Sequence, residues 1–364
     1  MEQHQTYTTL TLNNQTYDKP KLQNLANQKL NNPTTSTWQK SLFSFILQWL
    51  EDTPTIQVKT SGSTGTPKLI ELEKSKMIAS AKATGQYFGF EKGMTALLCL
   101  PCDYIAGKMM VVRSFVWGLN LITVNPSSYP LENIFTPPAF TAMIPLQVIH
   151  SLDKHRTLFN QIQTVIIGGG VVDTALRKRL QTIKTACYAT YGMTETITHI
   201  AIKPLNGVHQ SEVYQALEGV QFSKDERGCL VIDAPHVATE QVITNDVIDL
   251  KSSKSFEWLG RFDNIINTGG IKVNPEQVEK VLGTLISKRF FIAAQADEKL
   301  GSRIILLIED KPWNTQQIKD LMQNMKSQLQ KFQVPKSIHF IPQFVETPTQ
   351  KIQRTKTLNL LSAL

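Results

Sequence analysis

The spacing of apolar residues predicts alternating helices and buried strands over most of this chain. Apolar side chains recur at helical spacing from Trp38 to Leu50, and a second helical pattern runs from Ser75 to Tyr87. Three short apolar runs predict buried strands, at residues 96–100, 121–124 and 164–167. Strands that alternate with helices in this way are typical of an α/β domain.

The pattern changes near Asp263, where shorter elements begin. The predicted elements are a hairpin at 267–273, a helix at about 276–285, strands at 291–294 and 304–308, a helix at about 315–331 and a strand at 337–341. A chain of 364 residues also exceeds what one core usually organises. We therefore predict a large domain over residues 1–262 and a small α+β domain over residues 263–364.

Composition narrows the classes of ligand and the compartment. The net charge of +8 is spread in ones, twos and threes, which favours small anionic ligands over nucleic acid. There is no apolar run of membrane-spanning length and no secretory signal, so neither a span nor export is expected. Four scattered cysteines fit a reducing cytoplasm, and the CxxC of Cys99 and Cys102 has packing as its default role, with a metal or redox role as the alternative.

The run TSGSTGTPK is the strongest candidate for a ligand site. Its glycines let the backbone approach an anion, and its hydroxyls and its lysine add donors and positive charge. The candidate phosphate-binding residues are Thr60, Ser61, Gly62, Ser63, Thr64, Gly65, Thr66 and Lys68. A Walker A loop is ruled out by Pro67 and Leu69, which stand where that motif needs glycine and a hydroxyl. A polar surface turn is the alternative.

Two more polar loops follow apolar strand candidates. Gly168, Gly169 and Gly170 end the run TVIIGGG and precede a predicted helix capped by Asp173, although a tight turn alone would also explain them. In YGMTET, Tyr191 could stack on adenine, Thr194 could bond a phosphate, and Glu195 could hold Mg²⁺. The same spacing also fits the capped start of a helix.

Three segments complete the set of motifs, namely TND at 244–246, GRFDNIINTGGIKV at 260–273 and PTQKIQRTK at 348–356. With TSGSTGTPK and YGMTET they make five motifs, which in this order resemble those of the adenylate-forming superfamily of acyl-CoA synthetases, luciferases and peptide-synthetase adenylation domains. The resemblance covers the chain from about Trp38 to its end. It implies a large α/β domain, shortened at its N-terminus, and a small mobile α+β domain at the C-terminus.

The resemblance also assigns roles to matching positions. It implies that the phosphate loop, the glycine turn and Tyr191 bind ATP, that Thr194 and Glu195 act in catalysis with Mg²⁺ on Glu195, and that Asp246 and Arg261 bind the ribose. Asp263 matches the hinge between the domains. Lys351 matches the lysine that stabilises charge during adenylation, and Gly269 and Gly270 match the loop that serves the coenzyme A step. The chain departs from the family at Asn245, Lys272 and Gln350, none of which removes a required charge.

Segments around residues 97–124, 139–152 and 191–201 are most similar to the short o-succinylbenzoate:CoA ligases of bacterial menaquinone biosynthesis. This likeness implies that the chain takes an acid, ATP and coenzyme A, as a monomer or homodimer. Such an acid carries a second carboxylate, for which Lys108, Arg113 and His199 are candidate anchors. A structural His199 and an incidental Lys108 are the alternatives for two of them. A ligase for another aryl or fatty acid, and a nucleotide-binding or acyl-CoA-binding protein without turnover, remain the alternative functions.

Overall fold

The computed structural model describes residues 6–59, 69–346 and 352–363. The helices are α1 (Lys19–Asn31), α2 (Thr37–Leu50), α3 (Lys74–Phe88), α4 (Ile105–Trp117), α5 (Pro145–Lys154), α6 (Arg156–Phe159), α7 (Thr174–Leu180), α8 (Pro275–Leu282), α9 (Thr315–Gln328) and α10 (Arg354–Asn359). Single 3₁₀ turns lie at Thr194–Thr196, Phe262–Asn264 and Leu360–Ala363. Among the described residues, no helix is both long and apolar enough to cross a bilayer.

The strands of the first three-quarters of the chain are β1 (Leu10–Leu12), β2 (Gln15–Tyr17), β3 (Thr55–Lys59), β4 (Leu69–Glu73), β5 (Thr95–Leu98), β6 (Asn120–Thr123), β7 (Phe140–Met143), β8 (Thr164–Ile167), β9 (Ala186–Gly192), β10 (His199–Pro204), β11 (Tyr214–Ala216), β12 (Gln221–Lys224), β13 (Cys229–Asp233), β14 (Val242–Ser252) and β15 (Ser255–Arg261). The remaining strands are β16 (Ile266–Thr268), β17 (Ile271–Val273), β18 (Phe290–Asp297), β19 (Gly301–Glu309) and β20 (Ser337–Ile341).

Thirteen of these strands form one sheet, in the order β12-β13-β14-β15-β11-β10-β9-β8-β7-β5-β6-β1-β2. Neighbours from β9 to β1 are parallel, whereas those from β9 to β12 are antiparallel. Alternate residues of β5 enter two different apolar clusters, Ala96 and Leu98 in one and Leu97 in the other. The parallel part of the sheet is therefore covered on both faces, as its continuous apolar strands predict.

The C-terminal elements build a second, smaller core. Strands β18, β19 and β20 form their own sheet, and α8 and α9 pack on one face of it. The change of sheet falls between Arg261, which ends β15, and Ile266, which begins β16. The predicted fold class, a large α/β part with a small C-terminal α+β part, is confirmed. The predicted domain boundary at Asp263 stays a prediction.

Most predicted elements are observed, with shifted ends. The hairpin of β1 and β2, which the turn-forming pair Asn13 and Asn14 predicts, has a tight turn in which both residues have positive φ, 49° and 69°. The predicted helix at 276–285 is too long, because α8 ends at Leu282 and Gly283 caps it. A side chain at Gly283 would begin only 2.9 Å from the Thr174 hydroxyl.

Candidate active site

Two parts of the predicted site lie outside the described residues. These are the phosphate-loop candidates at 60–68 and Lys351, whose roles stay predictions. The loop's flanking strands are described, and β3 pairs with β4 in antiparallel register up to Lys59 and Leu69. At the other end of this strand pair, the buried Lys74 amine links the start of α3 to the end of α2. It donates to the carbonyl oxygens of Trp49 at 3.0 Å and Glu51 at 2.6 Å. The candidate loop thus connects two paired strands, whose opposite ends are joined to α2 through Lys74.

The glycine turn follows β8 beside the YGMTET motif. Because β8 and β9 are parallel neighbours, with Ile167 opposite Ala189, Gly168 lies next to the end of β9. A Cβ atom on Gly168 would lie 2.7 Å from the Thr190 hydroxyl, and Gly169 has a φ of 74°. Asp173 then caps α7 by accepting from the Leu176 amide at 2.7 Å. Two of the predicted ATP-binding motifs are thus adjacent at the carboxyl ends of parallel strands, where ligands of α/β sheets usually bind.

Tyr191 and Asp246 are joined by a hydrogen bond. The Tyr191 hydroxyl donates to Asp246 Oδ2 at 2.6 Å, and Trp258 Nε1 donates to Oδ1 at 3.0 Å. Burial, reinforced by Asp246, raises the pKa of Tyr191 well above its usual value, so the hydroxyl remains a donor. The Tyr191 ring also packs edge-on against Phe256, at 5.2 Å between centroids. Trp258 was missed by the sequence analysis, since only the register of β14 and β15 brings it to Asp246.

Arg261 lies between the candidate ribose aspartate and the candidate hinge. Its Nη2 donates to Asp263 Oδ2 at 2.8 Å, whereas its Nη1 lies 3.8 Å from Asp246 Oδ1. Asn245 Nδ2 lies 3.3 Å from both Asp263 oxygens, and Arg227 Nη1 donates to Asn245 Oδ1 at 2.8 Å. Asn245, one of the departures from the family pattern, therefore braces Asp263 through its amide.

Glu195 lies exposed on a 3₁₀ turn rather than on a helix. It lines an open depression of about 480 Å³ that also includes Lys76 and Thr239. No hydrogen bond or ion pair to its carboxylate is seen within the described residues. Mg²⁺ usually binds one or two carboxylates together with phosphate oxygens, and the described residues hold no group of three His, Cys, Asp or Glu side chains that would bind it alone. Glu195 fits the arrangement in which Mg²⁺ is held by a carboxylate together with phosphate oxygens.

The 3₁₀ turn is fixed by its own threonine and by a strained residue. The Thr196 hydroxyl accepts from the Met193 amide at 3.1 Å and donates toward the Thr198 carbonyl oxygen at 2.8 Å. Ile197 follows with a φ of 64°, an outlier for a β-branched residue, and Thr198 N donates across it to the Thr196 carbonyl oxygen at 2.7 Å. This tight turn separates Glu195, which is exposed, from His199, which is buried.

Of the three candidate acid anchors, Arg113 and His199 meet and Lys108 does not. Arg113 Nη2 lies 3.5 Å from His199 Nδ1, although α4 and β10 are far apart in sequence. Lys108, one turn earlier on α4, instead places its amine 4.5 Å from the centre of the Phe45 ring. Within the described residues, Arg113 and His199 therefore form one side-chain pair, whereas Lys108 contacts an aromatic ring.

The hydrogen bonds of His199 determine its tautomer. Because a guanidinium can only donate, Nδ1 accepts from Arg113, and Nε2 carries the proton toward the Thr84 hydroxyl at 3.2 Å. The Thr84 hydroxyl in turn donates to the Ser80 carbonyl oxygen at 3.0 Å. Burial, with the nearby Arg113 charge, lowers the pKa of His199 well below its usual value. His199 is therefore neutral at pH 7 and orients one edge of Arg113.

The neutral state of His199 predicts a loss of stability in mild acid. The unfolded chain takes up a proton on this histidine below about pH 6.5, whereas the folded chain does not, so stability falls as the pH falls. The expected loss from this residue is about 1.4 kcal/mol per pH unit below that point. Thermal unfolding of wild type and His199→Gln at pH 7 and pH 5.5 checks this. A constant difference between the two proteins across that interval would contradict it.

Arg113 carries a charge that the described part of the chain does not compensate. Its side chain is 1% exposed, and its Nε has no acceptor among the described residues. Apart from His199, it contacts the Met110 sulfur at 3.6 Å, and no carboxylate pairs with it in the described part of the chain. Burial lowers the pKa of Arg113 to about 9, which still leaves it cationic at neutral pH. A buried cation of this kind is costly unless an anion joins it.

The remaining candidates have simpler settings. Gly269 and Gly270 form the turn between β16 and β17, with φ values of 59° and 84°. Cys99 and Cys102 are buried, and burial raises the pKa of each thiol to about 12. The packing role predicted for these two cysteines is confirmed by that burial.

The sequence signature of the AMP-binding enzyme family matches residues 16–232, more than half of the chain. The chain belongs to this family. A solved structure of an acyl-CoA synthetase (AMP-forming)/AMP-acid ligase II-like protein from Dyadobacter fermentans is 33% identical to this AMP-binding enzyme. The match has a TM-score of 0.61 and covers 93% of this chain and 98% of that one.

Two further relatives of this AMP-binding enzyme are named for one acid. The probable 2-succinylbenzoate–CoA ligase of Mycobacterium tuberculosis is 29% identical over 282 residues, which cover 71% of this chain and 72% of that protein. The o-succinylbenzoate CoA synthetase (MenE) of Bacillus subtilis, solved in complex with the acyl-adenylate intermediate OSB-AMP, is 15% identical, with a TM-score of 0.74 over 96% of this chain and 95% of its own. The second likeness concerns the fold. The predicted enzyme class, an adenylate-forming acid–thiol ligase, is confirmed.

Proposed function

We propose that this AMP-binding enzyme is an o-succinylbenzoate:CoA ligase. In the first half-reaction a carboxylate oxygen of the acid attacks the α-phosphorus of ATP, and the bond to the β-phosphate oxygen breaks with release of pyrophosphate. In the second, the coenzyme A thiol releases its proton to solvent, its sulfur bonds to the acyl carbon, and the bond from that carbon to the AMP phosphate oxygen breaks, so that AMP leaves. The names of the relatives from M. tuberculosis and B. subtilis support this choice of acid.

The observation that carries the choice of acid is the charge of Arg113, which pairs with no carboxylate among the described residues. o-Succinylbenzoate has two carboxylates, of which only one reacts, so the other requires a cation. A bidentate guanidinium–carboxylate pair would satisfy Arg113 Nε, which has no acceptor among the described residues. A fatty acid or benzoate offers no such group and would bring no second carboxylate to this buried cation.

The other side chains of the site fit the two steps. Glu195 would hold Mg²⁺, which supplies charge neutralisation at the phosphates when bound. Asp246, oriented by Tyr191 and Trp258, would accept hydrogen bonds from the ribose hydroxyls. Lys351 would lie against the reacting carboxylate and the α-phosphate and stabilise the charge that develops between them. Gly269 and Gly270 would shape the path for coenzyme A in the second step.

The proposal is tested by pyrophosphate release on a panel of acids. The panel contains o-succinylbenzoate, benzoate, 2-acetylbenzoate, succinate and octanoate, each with ATP, Mg²⁺ and coenzyme A. We expect kcat/KM for o-succinylbenzoate to exceed that for every monocarboxylic acid by about 100-fold or more, because only this acid combines an aryl ring with a second carboxylate that can pair with Arg113. Equal or faster turnover of benzoate or octanoate would refute the choice of acid. Absence of pyrophosphate release with all acids would refute the ligase activity itself.

A further inference from the structure

Arg354 makes the best-formed ion pair of the small C-terminal part. Its Nη1 and Nη2 donate to Glu279 Oε1 and Oε2 at 2.8 Å and 2.7 Å, which is a parallel, two-pronged contact. Glu279 Oε1 also accepts from the Ile292 amide at 2.8 Å. The guanidinium lies 5.5 Å from the centre of the Phe291 ring. One side chain therefore ties α10 to both α8 and β18.

This pair is poorly explained by stability alone. The Glu279 side chain is only 17% exposed and that of Arg354 31%, so both ions are largely withdrawn from water. Burial raises the pKa of Glu279, and the adjacent Arg354 opposes that shift. Apolar residues of similar volume often stabilise a buried position as well as an ion pair does, whereas the two-pronged pair fixes direction as well as distance. Its geometry therefore points to a need for orientation.

The position of Arg354 in the chain indicates which segment the ion pair orients. Arg354 comes three residues after Lys351, and consecutive Cα atoms are about 3.8 Å apart, so the pair restrains a point within about 11 Å of Lys351 along the chain. Ile352 forms an isolated β-bridge with Glu346, and Gln353 N donates to the Val345 carbonyl oxygen at 2.8 Å. The two described flanks of residues 347–351 are thus joined to each other, Ile352 packs against the apolar cluster that contains Phe291, and Arg354 provides the charged anchor.

We propose that Arg354 is a positioning residue for adenylation, which directs the Lys351 segment through its pair with Glu279. The inference rests on the proposed function, in which Lys351 serves the first half-reaction. It predicts that a loosened pair slows formation of the adenylate while the thioester step, which does not use Lys351, continues. A purely structural role would weaken both half-reactions together.

The test uses Arg354→Lys, which keeps the charge but loses the two-pronged geometry, and Glu279→Gln, which breaks the pair from the other side. The full chain is assayed for pyrophosphate release from ATP and o-succinylbenzoate. Separately, it is assayed for thioester formation from supplied o-succinylbenzoyl-AMP and coenzyme A. Lys288→Ala is the matched control, because it removes a more exposed ion pair of the same domain, 3.4 Å from Asp310.

We expect each variant to lower kcat for adenylation by about 100-fold, the order of loss that follows a misplacement of about 1 Å, with KM for ATP and the thioester rate within about three-fold of wild type. The double variant should lose no more than either single variant, because both break one contact. The control should match wild type in both assays.

Three results would overturn the inference. Equal loss in both half-reactions, together with a lower unfolding temperature, would show a structural role. Unchanged adenylation in Arg354→Lys and Glu279→Gln, with Lys351→Ala inactive, would refute the positioning role but leave the proposed function intact. Unchanged adenylation in Lys351→Ala would remove the proposed role of Lys351 and this inference with it.

Discussion

Replacement of Lys351 by alanine is expected to slow adenylate formation by about 10³-fold, because it removes the cation placed against the charge that develops on the carboxylate and α-phosphate. The same variant should bind ATP with an affinity close to that of wild type. It should also convert supplied o-succinylbenzoyl-AMP to the thioester at a normal rate. Single-turnover measurements of both half-reactions, with an equilibrium measurement of ATP binding, check these three expectations.

Lys356→Ala is the matched control for this variant. Lys356 is an exposed lysine of α10, five residues after Lys351, so the control loses the same charge from the same segment. We expect it to behave as wild type in both half-reactions. If Lys351→Ala forms the adenylate as fast as the control, Lys351 has no part in the chemistry.

Replacement of Arg113 by methionine is expected to separate dicarboxylic from monocarboxylic acids. Loss of a buried guanidinium that pairs with a substrate carboxylate should cost about 3 kcal/mol, or about 150-fold in kcat/KM for o-succinylbenzoate. Turnover of benzoate should change little or rise. Because methionine also removes a buried charge that pairs with no carboxylate of residues 6–59, 69–346 and 352–363, the ligand-free variant should unfold at a higher temperature than wild type.

The same substitution at Lys108 tells the two cations apart. Lys108 lies over the Phe45 ring, so Lys108→Met should have a much smaller effect on the preference between the two acids. A uniform loss for both acids in Arg113→Met would assign Arg113 to the fold rather than to the substrate. A larger loss of preference in Lys108→Met would assign the second carboxylate to Lys108 instead.

The parts of the fold that could be predicted are those with strong local signals. The apolar period of α2 and the β-branched run of β8 predicted bounds close to those observed. Helix α1 was missed among Asn and Gln residues, although Asp18 caps it by accepting from the Lys21 amide at 3.0 Å. Most of the antiparallel half of the sheet was also missed, because pairs such as β11 with β15 depend on partners far along the chain.

The candidate site, like the fold, could be predicted only in part. Short motifs with fixed spacing identified Tyr191, Asp246 and Arg261, whose side chains do meet. The contacts that tune them could not be predicted, because Trp258 reaches Asp246 and Thr84 reaches His199 only through tertiary packing. A single sequence shows which residue types are present, whereas burial and partner choice, which set charge and tautomer, are properties of the assembled sheet.

Arg261 offers one guanidinium to two carboxylates, Asp246 in the proposed ribose site and Asp263 at the proposed hinge. A nucleotide that draws Arg261 toward Asp246 weakens its hold on Asp263. Thermodynamic linkage makes this effect reciprocal, so a domain orientation that takes Asp263 away from Arg261 must change the affinity for the nucleotide by the same factor. If Asp263 is the hinge, as proposed, nucleotide affinity measured with no acid present will therefore report the orientation of the small domain.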